Sequence, residues 1–313
     1  MDAYRVCNSN PMDYDIDNVD PKHGKMPCVE ERFDSGLDSL KEEEYNNIVK
    51  DMESLKMAPP GPTRIECNNE PWKLERTEDG DTFLHLAIIH ESPVHAMQMI
   101  DLSRGDPFLN VQNNQRQTAL HLAVVTEQPL VVERLLQAGC DPQLVDDTGN
   151  TALHIACKRG SLTCFGVLTH YCSSSLPSIL TKPNYNGHNC LHLASIHGYL
   201  CLVESLLRLG ADINAQEQCN GRTALHLAVD LQNPELVKLL VSKGADVNTL
   251  TYGGYTPYHL TFGRQNGEIQ QHLYALTAEE LRPLPESESE ESDEESSSED
   301  EEMYDDIQLM GQK

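Results

Sequence analysis

The sequence predicts an all-α chain, a solenoid of six stacked helical pairs flanked at both ends by acidic segments too poor in apolar residues to pack. Three observations predict it. The phrase Gly221-Arg222-Thr223-Ala224-Leu225-His226-Leu227-Ala228 recurs, more loosely, at 80–87, 116–123, 149–156, 187–194 and 254–261. Its histidines His85, His121, His154, His192, His226 and His259 stand 36, 33, 38, 34 and 33 residues apart, the period of a small helical unit repeated along the chain. Of the 313 residues and the net charge of −27, residues 1–70 hold 8 bases and 16 acids, and residues 286–313 hold 1 and 13.

Each copy opens on a residue able to cap a helix. Thr82, Thr118, Thr151, Asn189, Thr223 and Thr256 carry an oxygen that can accept a backbone N–H at a helix N-terminus. Thr256-Pro257 also places proline where the first helical residue would need no N–H. A second helix follows in the better copies. Val131-Val132 and Leu135-Leu136 precede Gly139, Leu202-Val203 and Leu206-Leu207 precede Gly210, and Leu236-Val237 and Leu240-Val241 precede Gly244. Apolar pairs four residues apart form one stripe, and glycine supplies the left-handed residue that closes the helix. A unit this small cannot bury its own stripe, so neighbours must stack. The pattern resembles ankyrin repeats.

The organisation expected is a regulatory segment over 1–71, a repeat domain over 72–281 and an acidic tail over 282–313. Residues 1–32 show no periodic apolar face and are expected to be disordered. Asp34-Ser35-Gly36-Leu37-Asp38-Ser39 follows. Ser39 with Glu42 reads locally as a capping box for a helix. The six residues also match the Asp-Ser-Gly-x-x-Ser phosphodegron, in which phosphates on Ser35 and Ser39 create a charged ligand for a ubiquitin ligase adaptor. Tyr45 is a further candidate phosphorylation site. Ile48, Met52, Leu55 and Met57 fit a leucine-rich export signal read by an exportin, and equally an amphipathic helix resting its apolar face on another surface. Pro59-Pro60-Gly61-Pro62 marks a linker. Trp72 with Leu74 is expected to cover the open end of the first repeat.

In the third copy no glycine closes the second helix, and Cys172-Ser173-Ser174-Ser175-Leu176-Pro177 lengthens the connection, which predicts a loop. The sixth copy carries a polar second helix, roughly 268–276, suited to a terminal cap. From 286 to 306 the residues are acids and serines almost throughout, too little apolar material to offset chain entropy. That tail reads as a solubilising segment, or as a PEST-like instability segment in which Ser287, Ser289, Ser292 and Ser296 lie beside acids as acidophilic kinases prefer.

Charge and motifs exclude several function classes. A chain this acidic does not seek nucleic acid by phosphate contact. Ten cysteines without a C-x-x-C pair fit a reduced intracellular protein and no zinc site. No apolar run is long enough for a leader or a membrane span. One histidine per repeat is a packing residue, and no P-loop, G-x-S-x-G, H-E-x-x-H or G-x-G-x-x-G occurs. No enzyme, metal or cofactor is expected. Asn214 and Asn248 hold turns in this reading, and they also stand where ankyrin asparagines are targets of hydroxylation.

The order of degron, Pro-rich linker, six ankyrin copies and acidic tail resembles the cytoplasmic inhibitors of NF-κB. The stretches Trp72 to Leu74, Glu78 to Asp81, Phe83 to Glu91, Asn184 to His188 and Tyr304 to Asp306 are similar to one member of that family in particular. The resemblance implies a non-enzymatic, cytoplasmic protein that shuttles through the nucleus, binds a Rel-homology dimer, masks its nuclear localisation segment and blocks its DNA contact. Glu78, Asp79 and Asp81 are the acids it implies against the partner's basic segment. It further implies an IκB kinase acting on Ser35 and Ser39 and ubiquitin on Lys22 or Lys25, although the family's acceptor lysines are adjacent and here His23-Gly24 separates them. The alternative is a general ankyrin scaffold with regulated turnover and no Rel partner.

Overall fold

The computed structural model describes residues 71–285. Paired helices follow one another: α1 (Phe83–Ile89) with α2 (Pro93–Leu102), α3 (Ala119–Val125) with α4 (Pro129–Gln137), α5 (Ala152–Arg159) with α6 (Leu162–Tyr171). A short α7 (Leu176–Thr181) is inserted there, before α8 (Cys190–Ile196) with α9 (Leu200–Arg208) and α10 (Ala224–Asp230) with α11 (Pro234–Ser242). The last pair is a 3-10 turn at His259–Thr261 with α12 (Gly267–Leu276). Among the described residues there is no strand. First helices pack on first helices along the whole stack, and α2, α4 and α6 pack side by side behind them.

The caps act as the sequence predicts. Thr82, Thr151 and Asn189 accept the backbone N–H of His85, His154 and His192. The closing glycines Gly139, Gly210 and Gly244 have φ of 96°, 92° and 90°, a conformation open to glycine at little cost. The stripe pairs Val131-Val132 with Leu135, Leu202-Val203 with Leu206, and Leu236-Val237 with Leu240 are buried in a core that runs without a break from Trp72 to Leu273.

Four expectations are corrected. The lengthened connection of the third copy is helical: Leu176, Ile179 and Leu180 lie at helical spacing, all three are buried, and proline stands in the first turn. Its apolar face plugs the core that a closing glycine would otherwise have turned away from. In the sixth copy no α-helix follows Thr256-Pro257, only the 3-10 turn. Leu74 is 84% exposed and covers nothing; Trp72 caps the first repeat without it, its ring meeting Phe108 edge-on at 5.1 Å. Packing also continues past residue 281. His259 Nε2 donates to the Arg282 carbonyl at 3.1 Å, and Pro285 lies against Gly254, so a partial seventh turn covers the sixth copy where another repeat would stack.

Candidate partner-binding surface

Between one second helix and the next first helix the chain makes a finger, a tight turn that stacks on the finger before it. Each finger is anchored by one side chain. Asn113 Oδ1 accepts from the N–H of Gln115 and Gln117, Asp146 Oδ1 from Thr148 and Asn150, and Asn184 Oδ1 from Asn186 and His188. Glu217 does the same in the fifth copy, accepting from Cys219 and Asn220 at 2.6 and 2.7 Å. Those N–H donors hold its carboxyl below the usual range although burial pushes the other way.

Neighbouring fingers are joined by main chain. Asn114 N–H donates to Asp79 O, Asp147 N–H to Gln115 O, Tyr185 N–H to Thr148 O and Tyr252 N–H to Asn220 O, at 2.9 to 3.0 Å. The approach is close enough that a Cβ on Gly149 would stand 2.7 Å from Tyr185, and one on Gly221 2.6 Å from Tyr252. These two glycines, at φ of 79° and 69°, are required both for conformation and for room.

The six histidines lie directly beneath. In every copy the N–H of the capping residue donates to the histidine Nδ1 at 3.0 to 3.3 Å. The opposite nitrogen, Nε2, meets a carbonyl of the next finger at 2.9 to 3.2 Å: Gln117, Asn150, Lys182, Ala215, Tyr255 and Arg282. An Nδ1 that accepts and an Nε2 that donates require one neutral tautomer. Burial holds His85, His192 and His226 down to about 4 and lowers His121 as well. Both ring nitrogens are occupied, Nδ1 by the cap of its own helix and Nε2 by the next repeat. Among the described residues no group of acids, histidines and cysteines could hold a metal ion, and no helix is long and apolar enough to cross a membrane.

The acids singled out in the first finger separate. Glu78 is exposed and Asp79 half-buried, and both are oriented by main chain, since their carbonyls accept from Asn114 Nδ2 and Asn114 N–H. Asp81 is 5% exposed. Its Oδ1 accepts from Asn113 Nδ2 at 2.9 Å, and burial raises its carboxyl, helped by Asp79 and opposed by the Asn113 bond. Asp81 therefore joins the first two fingers and is not an open surface acid, contrary to expectation.

Asn214 and Asn248 hold turns, and they hold them between repeats. Asn214 Oδ1 accepts from Asp246 N–H and Asn248 Oδ1 from Ala278 N–H, both at 2.9 Å. Asn110 accepts from Asp141 N–H at 2.8 Å in the same way; aligning the copies on their histidines would have found it. The same alignment shows Arg116 where five copies have glycine, a departure the sequence reading passed over. Ser35, Ser39, Tyr45, Lys22, Lys25, Ile48, Met52, Leu55, Met57, Ser287, Ser289, Ser292 and Ser296 lie outside the described residues.

Comparison with known proteins adds a family to this geometry. The family described as ankyrin repeats (3 copies) matches residues 63–146, 127–217 and 191–279. Human NF-kappa-B inhibitor alpha is 57% identical over 302 residues, 94% of each chain. Human NF-kappa-B inhibitor epsilon is 44% identical over 212 residues, 66% of this chain and 42% of its own. Among solved structures, the ankyrin repeat domain of Bcl-3, titled a unique member of the IkappaB protein family, matches with a TM-score of 0.58 and 37% identity over 63% of this chain and 87% of that one. With six histidine-linked fingers on the page and this identity along nearly its full length, the chain belongs to the ankyrin-repeat NF-kappa-B inhibitor family.

Proposed function

We propose that this protein is a signal-released inhibitor of Rel-homology (NF-kappa-B) dimers. Its stack binds the dimer, covers the nuclear localisation segment and keeps the DNA-binding surface from its target. The observation that carries this reading is the 57% identity to human NF-kappa-B inhibitor alpha over 94% of both chains. Surface chemistry supports it: Glu78 and Asp79 stand at the first finger, where an extended basic segment would find them. Pro285 lies on Gly254 at the last finger, and the sequence that follows it is acidic, a polyanion able to occupy a basic DNA-binding surface in place of phosphate.

Release begins at the N-terminal segment. An IκB kinase phosphorylates Ser35 and Ser39, a phosphodegron-reading adaptor binds, ubiquitin is attached at Lys22 or Lys25, and the proteasome frees the dimer. Before release the protein is cytoplasmic and shuttles through the nucleus, with Ile48, Met52, Leu55 and Met57 offered to an exportin. Tyr45 and the tail serines Ser287, Ser289, Ser292 and Ser296 are subsidiary phosphorylation sites. Hydroxylation of Asn214 and Asn248 is a further proposal, visible as a one-oxygen mass increase on each.

The test is capture of a purified Rel-homology dimer by the full chain at low and moderate salt. Retention that weakens as salt rises is expected; no retention at low salt leaves the general scaffold. Truncation after Leu284 should slow displacement of the dimer from DNA. Ser35→Ala with Ser39→Ala should abolish stimulus-induced loss of the protein in cells.

A further inference from the structure

Arg116 occupies the finger position at which the other five copies place Gly80, Gly149, Gly187, Gly221 and Gly254. All six have the left-handed conformation, with φ of 57° at Arg116 and 69° to 79° at the glycines. An arginine rarely adopts it. Its guanidinium passes over the third finger, and Nη1 donates to the Tyr185 hydroxyl of the fourth at 3.1 Å, between residues 69 positions apart. Nearly every other side-chain bond between copies joins immediate neighbours, and this one skips a copy. The Tyr185 ring packs on Gly149, so closely that a Cβ there would have no room. Its backbone is tied by Thr148 O, yet the side chain stays open to solvent, the residue being 63% exposed.

We infer that Tyr185 is a phosphorylation site and that Arg116 receives the phosphate, locking the second, third and fourth fingers together. In that step a tyrosine kinase transfers the terminal phosphoryl group of a nucleoside triphosphate to the hydroxyl oxygen. The phosphorus–oxygen ester forms, the bond to the nucleoside diphosphate breaks, and the phenolic proton leaves with the kinase's base. The product replaces a neutral acceptor beside the guanidinium with a dianionic one, which arginine engages more strongly and in a two-pronged way. Asp147, the exposed acid on the intervening finger, carries charge of the same sign as the phosphate, which Arg116 has to outweigh.

The other exposed tyrosines are placed differently. The Tyr171 hydroxyl donates to Glu133 Oε1 at 2.6 Å, so a phosphate there would face a carboxylate. Tyr274 offers its ring face, not its hydroxyl, to Arg282, 4.4 Å from the centroid. Tyr252 and Tyr255 sit at the sixth finger with no hydrogen bond from a guanidinium. Among the described residues Tyr185 alone combines an open side chain, a ring packed on a neighbouring finger and a cation at its oxygen.

The experiment treats the full-length protein with a broad-specificity tyrosine kinase domain and magnesium nucleotide, maps phosphate by mass spectrometry, and records thermal unfolding before and after. The same is done for Tyr185→Phe and for Arg116→Gly, the latter carrying the residue its five counterparts have and so expected to fold. Phosphate on Tyr185 should raise Tm by about 2–4 °C and slow hydrogen exchange at the Gly149 amide in the natural chain. In Arg116→Gly the same phosphate should leave both unchanged, and in Tyr185→Phe the rise should vanish. Labelling of Tyr252 or Tyr255 with none at Tyr185 would overturn the proposal, as would an equal rise with and without Arg116.

Discussion

Between the third and fourth copies the inner layer of the stack runs on while the outer layer changes course. His154 Nε2 reaches the Lys182 carbonyl at 2.9 Å across the insertion, as its five counterparts reach theirs across ordinary connections. On the outer side α6 packs extensively on α4, and α7 stands where the connection lengthens. The difference lies in how each layer is held. Fingers and first helices are joined by directional bonds that must be completed at every step, because a buried donor or acceptor left alone costs free energy. Second helices are joined in the core by apolar contact, with exposed polar pairs such as Arg134–Asp101 and Tyr171–Glu133 at the rim, and apolar contact tolerates an inserted turn provided its face is also apolar.

Acid should separate the layers most strongly. His85, His192 and His226 have folded pKa values of about 4 against about 6.5 when unfolded. The unfolded chain therefore binds more protons between those values. The stability these groups contribute is fully present above pH 6.5 and is lost as pH falls toward 4, at about 4 kcal/mol per pH unit for the three together. A circular dichroism titration should show cooperative unfolding within that window; a flat signal down to pH 4 would mean that the histidine layer does not hold the stack.

His226→Ala comes next. It removes a fully buried ring and orphans the Thr223 N–H and the Tyr255 carbonyl, at a cost of about 3–5 kcal/mol, read as a fall in the urea midpoint. Ile179→Ala, in the inserted helix, should cost about 2–4 kcal/mol and act locally. Hydrogen exchange should quicken over 176–181 while amides of α5 and α8 keep their protection, and equal loss in both layers would break the contrast. Asn214→Ala has the smallest effect expected, about 1 kcal/mol, since the Asp246 N–H it frees lies at an exposed turn.

How much of this was legible follows the same division. The capping threonines, the histidine period and the closing glycines are local signals, each set by a few neighbouring residues, and the helices they predict formed where expected in five copies. The sixth first helix shrank to a 3-10 turn although Thr256-Pro257 reads as a strong start. The inserted helix was hidden because Leu176, Ile179 and Leu180 are only three apolar residues in a stretch that begins with serines. Asp81 was expected against a partner's basic segment from the resemblance alone; what turns it to the second finger is Asn113, 32 residues away. Leu74 read as a cap beside Trp72, yet only one of the two finds a face to cover.

By itself the sequence determined the repeat, its helical pairs and the packing histidine in each, because capping, periodicity and left-handed glycine are properties of short segments. Tertiary structure decided which acids stay open, which asparagines bridge repeats, and that Arg116 meets Tyr185 over an intervening finger. Those outcomes depend on how far one finger is offset from the next, a distance that no single repeat contains.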